Sequence, residues 1–158
     1  MSRKYLNDRW CIRCGRKTPT PYLAKVLKLF SKKGMVLDIG CGNGRNSVFM
    51  TDQGYNVKSI DMANDFGNKI ILGKDTLPDG PFQIILANYI FMFLDELERS
   101  QLFREIQRIS EFGTIFVIEM YPAKDAYSYD FDGIIDYFLE NGWKKLRKSR
   151  DRCVLKML

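Results

Sequence analysis

Gly40, Gly42 and Gly44 alternate with Cys41 and Asn43 between the apolar run Met35-Val36-Leu37-Asp38-Ile39 and a helical pattern that opens near Asn46. Glycine lacks a Cβ, so a chain can turn sharply there and a ligand can approach its backbone closely. Asp61 closes the next apolar run, 21 residues after Gly40. In nucleotide-binding sheets an acidic side chain at that place accepts hydrogen bonds from ribose hydroxyls. Turn and carboxylate together point to an adenosine-bearing ligand.

The pattern also discriminates among such ligands. A dinucleotide fingerprint carries a third glycine that lets the helix pack close to the strand, and Arg45 occupies that place here. Asp38 adds a negative charge just before the turn, awkward beside a pyrophosphate but suited to the ammonium or sulfonium of S-adenosylmethionine. NAD is thereby disfavoured. No Gly-Lys-Ser/Thr ending follows the glycines, which excludes a P-loop.

The chain has no histidine. This removes Ser-His-Asp and Cys-His hydrolysis, imidazole-based zinc sites and the usual neutral-pH general base. Methyl transfer from a sulfonium survives the restriction, because it is an in-line displacement in which positioning supplies much of the acceleration. The acceptor then has to be soft or already anionic, such as a thiolate or metalloid oxyanion, or an amine that loses its proton earlier. The residues single out no catalytic group. Tyr5, Trp10, Tyr22, Tyr89, Phe93 and Tyr121 are candidates for the substrate side, although packing is the commoner role for each. Cys11 and Cys14 form half of a zinc site, a metalloid-binding pair or two surface thiols. A structural zinc wants four ligands and there is no second pair, so no metal is expected. Cys41 and Cys153 suit packing.

The elements that must position these groups read as alternating strands and helices. Helical spacing over Tyr22 to Phe30 follows Pro21. Strands are expected at Met35–Ile39, Val57–Asp61, Lys69–Gly73, Phe82–Ala87 and Thr114–Met120, with a helix from Asn46 to Gln53 stopped by Gly54. Asp95 and Glu98 have capping-box spacing ahead of a helix to Ile109, whose apolar stripe is read as Leu97, Leu102, Phe103, Ile106 and Ile109. A further helix spans Phe131 to Leu139, and Trp143–Ser149 with Arg152–Leu158 suggest an antiparallel pair. The order implies a doubly wound α/β fold whose ligand lies beyond the carboxyl ends of the strands.

The stretch from Val36 to Asp61 resembles the first two motifs of the class I S-adenosylmethionine-dependent methyltransferases. Gly40-Cys41-Gly42-Asn43-Gly44-Arg45-Asn46-Ser47, with Met92-Phe93-Leu94 later, is similar to the tellurite-resistance and thiol methyltransferase branch. The resemblance implies a mostly parallel seven-stranded sheet with an antiparallel C-terminal strand. It implies backbone contacts from Gly40, Cys41, Gly42 and Asn43 to the methionine part of the cofactor, with Gly44 and Asn46 completing the turn and Asp38 oriented toward it. Asp61 would hold the ribose, Met62 would pack against the adenine, Asp75 and the Thr76 amide would approach its amino edge, and the Asn88 carbonyl would help receive the ammonium. Three departures stand out. Only Met62 to Asn68 separate the second and third strands, so the helix usual there is expected to be reduced or absent, leaving the adenine side more open. Gln83 replaces a common acidic residue, and Ser110-Glu111-Phe112-Gly113 lacks a Pro-Gly turn.

The 158 residues suit one core, read as a basic arm over 1–19 and a single domain over 20–158. Residues 1–17 carry six basic and one acidic side chain, and residues 143–158 carry seven and one. Basic ends are able to steer an anionic partner. A small-molecule acceptor is the first expectation, a nucleic acid contacted by the basic ends the second, and a noncatalytic binding domain the third. The apolar stretches are too short and mixed for a membrane span, and no secretory leader is visible, so the cytoplasm is expected. The residues leave the oligomeric state open.

Overall fold

The computed structural model describes residues 17–30, 33–62, 66–120 and 130–158. Tyr5, Trp10, Cys11, Cys14 and Tyr121 lie outside the described residues, as does most of the arm. Seven strands are seen: β1 (Met35–Ile39), β2 (Asn56–Asp61), β3 (Asn68–Lys69), β4 (Ile84–Asn88), β5 (Ile115–Glu119), β6 (Trp143–Ser149) and β7 (Arg152–Met157). Helices α1 (Pro21–Val26), α2 (Arg45–Asp52), α3 (Glu96–Arg108) and α4 (Phe131–Glu140) alternate with them. The sheet order is β3-β2-β1-β4-β5-β7-β6, and β7 runs antiparallel to both its neighbours while the other pairs are parallel. This is the doubly wound arrangement expected, with the antiparallel strand in its expected place.

Strand alternation divides the core in two. Val36, Ile84, Leu86, Val117 and Val154 face α1 and α2, where they meet Tyr22, Leu23, Val26 and Met50. Leu37, Ile39, Ile85, Phe116, Ile118 and Leu155 face α3 and α4, against Leu102, Ile106, Ile134 and Phe138. Strands β4 and β5 are buried along their whole length, as central parallel strands covered on both faces must be.

The helix starts follow from side-chain chemistry. Pro21 sits in the first turn of α1, where its missing N–H loses nothing. At α3, the Glu98 amide donates to Asp95 Oδ1 at 2.9 Å and the Asp95 amide donates to Glu98 Oε2 at 3.2 Å, completing the capping box. Gly54 takes a φ of 87° just after α2 and ends it.

The structure corrects three details. The helical spacing through Phe30 becomes α1 followed by a 3-10 turn at Leu27–Leu29. The third strand is two residues long and not Lys69–Gly73, pairing Ile60 with Asn68 and Asp61 with Lys69. A parallel crossover ordinarily needs a dozen residues because it must return along the whole strand. Here β3 meets only the last two residues of β2, so a short link suffices, and no helix lies between them among the described residues. Leu97 does not join the apolar stripe of α3 and is 82% exposed. At about 100° per residue it stands half a turn away from Ile106. Among the described residues no helix is long and apolar enough to cross a membrane.

Candidate functional site

The turn between β1 and α2 is built from three glycines in left-handed backbone, with φ of 69° at Gly40, 55° at Gly42 and 77° at Gly44. Their surroundings differ. A Cβ on Gly40 would come within 1.8 Å of the Ile90 side chain, and one on Gly44 within 2.5 Å of the Phe66 ring, whereas a Cβ on Gly42 would meet no atom within 4 Å. Gly40 and Gly44 are therefore needed for packing, and Gly42 fronts open space.

Amides around this turn are bonded inside the protein. Gly40 and Cys41 donate to the Ile60 carbonyl at 2.8 and 3.1 Å, and Gly42 donates to Asp61 Oδ2 at 2.9 Å. Arg45 donates to Asn43 Oδ1 at 3.3 Å. Ser47 gives its hydroxyl to Asp38 Oδ2 at 2.6 Å and its amide to the same carboxylate. A phosphate at a helix N-terminus requires free N–H groups, and those of Arg45 and Ser47 are taken. The surroundings suit a cation instead, because two carboxylates flank the turn and the bend itself joins Asp61 to Gly42.

Asp38 is 2% exposed and faces α2 from the middle of the sheet. Burial pushes its carboxyl up to about 6, the Asp61 charge adds to the rise, and the Ser47 hydroxyl opposes it. Ser59 donates to Ser47 Oγ at 2.7 Å, extending the chain of polar contacts to β2. The Cys41 thiol donates to the Phe66 carbonyl at 2.9 Å. Phe66 is thus held against the glycine turn, with its ring packed over Gly44.

A second polar group lies at the carboxyl ends of β4 and β5, on the face covered by α1. Glu119 is fully buried, and its Oε1 accepts from Thr20 Oγ1 at 2.5 Å and from Asn88 Nδ2 at 2.7 Å. Its Oε2 accepts from the Tyr89 hydroxyl at 3.1 Å and lies 3.5 Å from Arg152 Nε. Burial raises the Glu119 carboxyl against the pull of these donors. Tyr89 itself has a φ of 62°, unusual for a non-glycine residue and the kind of strain that collects at functional sites. Asn88 Oδ1 is buried with no hydrogen-bond partner among the described residues, an orphaned acceptor at the end of β4.

The structure brings Asp38, Gly40, Cys41, Gly42, Asn43, Gly44 and Asp61 together around one bend. Asn46 begins α2, but its Oδ1 accepts from the Thr20 amide at 2.9 Å, so the side chain ties α2 to α1. Met62 follows β2 directly and is half-buried. Asp75 and Thr76 are exposed, and Asp75 Oδ2 accepts from the Ile71 amide at 2.7 Å, closing a local turn with no contact to the bend. Phe93 packs with the α3 and α4 core. Tyr22 is buried on α1, with its hydroxyl unpartnered.

The family model for the tellurite resistance protein TehB matches residues 20–150. The chain belongs to the TehB family. Membership makes it an S-adenosylmethionine-dependent methyltransferase, the enzyme class to which the glycine turn and Asp61 pointed. Solved structures share its fold. A TehB-like S-adenosylmethionine-dependent methyltransferase from Corynebacterium glutamicum is 20% identical with a TM-score of 0.69, covering 98% of this chain and 96% of that one. TehB from Haemophilus influenzae is 17% identical with a TM-score of 0.71 over 96% of this chain and 65% of its own. Magnesium protoporphyrin IX methyltransferase from Synechocystis, solved with bound S-adenosylhomocysteine, is 15% identical with a TM-score of 0.74, covering 99% and 97% of the two chains. No curated protein matches the chain by sequence.

For this TehB-family chain the sequence reading missed Glu119, Thr20 and Phe66. Glu119 left a signal, since it is one carboxylate inside the otherwise apolar run Ile115 to Met120, at the strand end where ligands of such sheets gather. Thr20 and Phe66 left none, because their partners are distant in sequence.

Proposed function

We propose that this chain transfers the methyl group of S-adenosylmethionine to a small-molecule acceptor whose nucleophile is soft or already anionic. The observation that carries the reading is the glycine turn, whose amides are bonded internally and whose open side at Gly42 adjoins Asp61. When bound, the cofactor supplies an electrophilic methyl on a sulfonium. Asp61 accepts from its ribose hydroxyls, and Asp38 with the backbone of Gly40, Cys41, Gly42 and Asn43 favours its cationic methionine end. Asn88, through its carbonyl and its orphaned Oδ1, receives the ammonium. Met62 packs on the adenine, and Asp75 with the Thr76 amide is assigned to its amino edge. Gly44 and Asn46 fix the bend and its helix.

Burial pushes the Asp38 carboxyl up to about 6, but Ser47 holds its carboxylate, so it orients and does not take the acceptor proton. Positioning an ionised nucleophile is what remains, which suits a chain without histidine. Residues 20–158 act as the single domain in this reading, and the buried thiols Cys41 and Cys153 suit a cytoplasmic setting. A nucleic-acid acceptor is the second reading, favoured by the exposed basic residues Lys144, Lys145, Lys148 and Arg150 on the β6 edge. Binding to RNA that weakens steeply with salt would select it.

Calorimetry tests the first reading. S-adenosylmethionine and S-adenosylhomocysteine are expected to bind and NAD is not. Asp61→Asn keeps an acceptor for the Gly42 amide but weakens the ribose contacts, so affinity for S-adenosylmethionine should fall about tenfold or more. Robust NAD binding with no heat from the other two would overturn the assignment.

A further inference from the structure

A cleft of about 340 Å³ opens between α1 and the β6–β7 hairpin, lined by Pro21, Tyr22, Lys25, Arg147, Ser149 and Arg152. Three of the six lining side chains are cationic and none is acidic. Lys25 and Arg147 have no ion-pair partner among the described residues, and Arg152 pairs with Glu119 at 3.5 Å. Tyr22 lines the cleft and is 4% exposed, and its buried hydroxyl has no hydrogen-bond partner among the described residues. The Arg152 guanidinium lies over the Tyr22 ring at 5.7 Å, which fixes both groups against one wall.

Basic residues on an edge hairpin usually serve to discourage pairing with other chains. That role suffices for Lys144, Lys145 and Lys148, which are exposed, with Lys148 turned to Asp132 of α4 on the other face. It does not explain a half-buried Arg147 gathered with Lys25 and Arg152 around a cleft that Tyr22 also lines. Burial holds the Tyr22 hydroxyl up to about 12, so it remains a proton donor at any physiological pH.

We propose that this cleft binds a carboxylate or phosphate group, and that the group is the anionic handle by which the methyl acceptor is held. The location supports the second half. Arg152 pairs with Glu119 across β5 and β7, Glu119 holds Asn88, and Asn88 ends β4 at the edge of the sheet where its ligands bind. An anion in the cleft shares Arg152 with Glu119 and so sits one side chain away from that edge. Naming the ligand as acceptor rests on the methyl-transfer reading; binding of the anion does not.

Titration of the whole chain with inorganic phosphate, and separately with acetate, followed through the Arg147 and Arg152 side-chain NH signals and the Tyr22 ring signals, tests the site. Saturable shifts are expected for at least one probe. Lys25→Gln and Arg147→Gln should each weaken that affinity about tenfold, and Tyr22→Phe about threefold, while Lys144→Gln leaves it unchanged. Absence of saturation, or equal weakening by Lys144→Gln, overturns the site, because the hairpin would then be a diffuse basic surface. S-adenosylmethionine affinity is measured on the same samples. Cofactor binding without anion binding sinks the cleft alone, and anion binding without cofactor binding sinks the methyl-transfer reading and the naming of the ligand as acceptor while leaving the anion site standing.

Discussion

The two faces of the sheet are built to different specifications. Under α3 and α4 the side chains are apolar to the strand ends, and Phe103, Phe116, Tyr137, Phe138 and Trp143 interlock there with ring centroids 4.9 to 5.9 Å apart. Under α1 and α2 the same alternation ends in polar groups: Asp38 on β1, Asn88 on β4 and Glu119 on β5, all buried. One face supplies cohesion, and the other gives up some of it to hold charge where a ligand can use it. Placing all the polar groups on one face leaves the second free to pack without compromise.

The largest effect should come from damaging the cohesive face. Phe138→Ala empties a fully buried site between Phe103, Phe116, Tyr137 and Trp143, and should cost about 4 kcal/mol of stability. Thermal unfolding reads this as a fall of roughly 10 °C or more. Cofactor affinity of the protein that remains folded should not change; a parallel loss of affinity would show that the faces are not independent.

On the polar face the sign reverses. Folding raises the Asp38 carboxyl from 3.8 to about 6, so the folded state favours its neutral form. The associated stability is fully present below about pH 4, is lost as the pH rises through 6, and stays lost above. Asp38→Asn, neutral throughout, should therefore be more stable than the parent by up to about 3 kcal/mol at pH 7, with the gain vanishing by pH 4. Its affinity for S-adenosylmethionine should fall at the same time. Denaturant melts at pH 4.5 and 7 check this, and a gain of equal size at both would rule out titration of Asp38 as its source.

The smallest effect should come from Leu97→Ser, which removes an apolar side chain that is 82% exposed on α3. Stability should move by less than about 0.5 kcal/mol. A cost of 2 kcal/mol or more would mean that Leu97 belongs to the cohesive face after all.

What the amino-acid sequence disclosed follows the range of the interactions. The glycine bend, the Asp95 capping box and the Arg150-Asp151 hairpin are set by neighbours a few residues apart, and each was legible. Asp61 was legible because a strand–turn–helix–strand unit has a nearly fixed length. The length of β3 was not, since it depends on how far along β2 the chain returns. Nor was the link from Thr20 to Glu119, which joins residues 99 positions apart. Alternation within β1, β4 and β5 already put Asp38, Asn88 and Glu119 on one face, but only the strand order sets those three ends side by side.

That strand order has a consequence for how the chain matures. Strand β7 is made after β6, yet it is β7 that zips onto β5. A nascent polypeptide released only as far as β6 would present a bare β5 margin, apolar up to Glu119, to whatever other strands are nearby. Cooperative closure has to wait for the β6–β7 hairpin to dock, so the sheet is expected to complete only once β7 has been made.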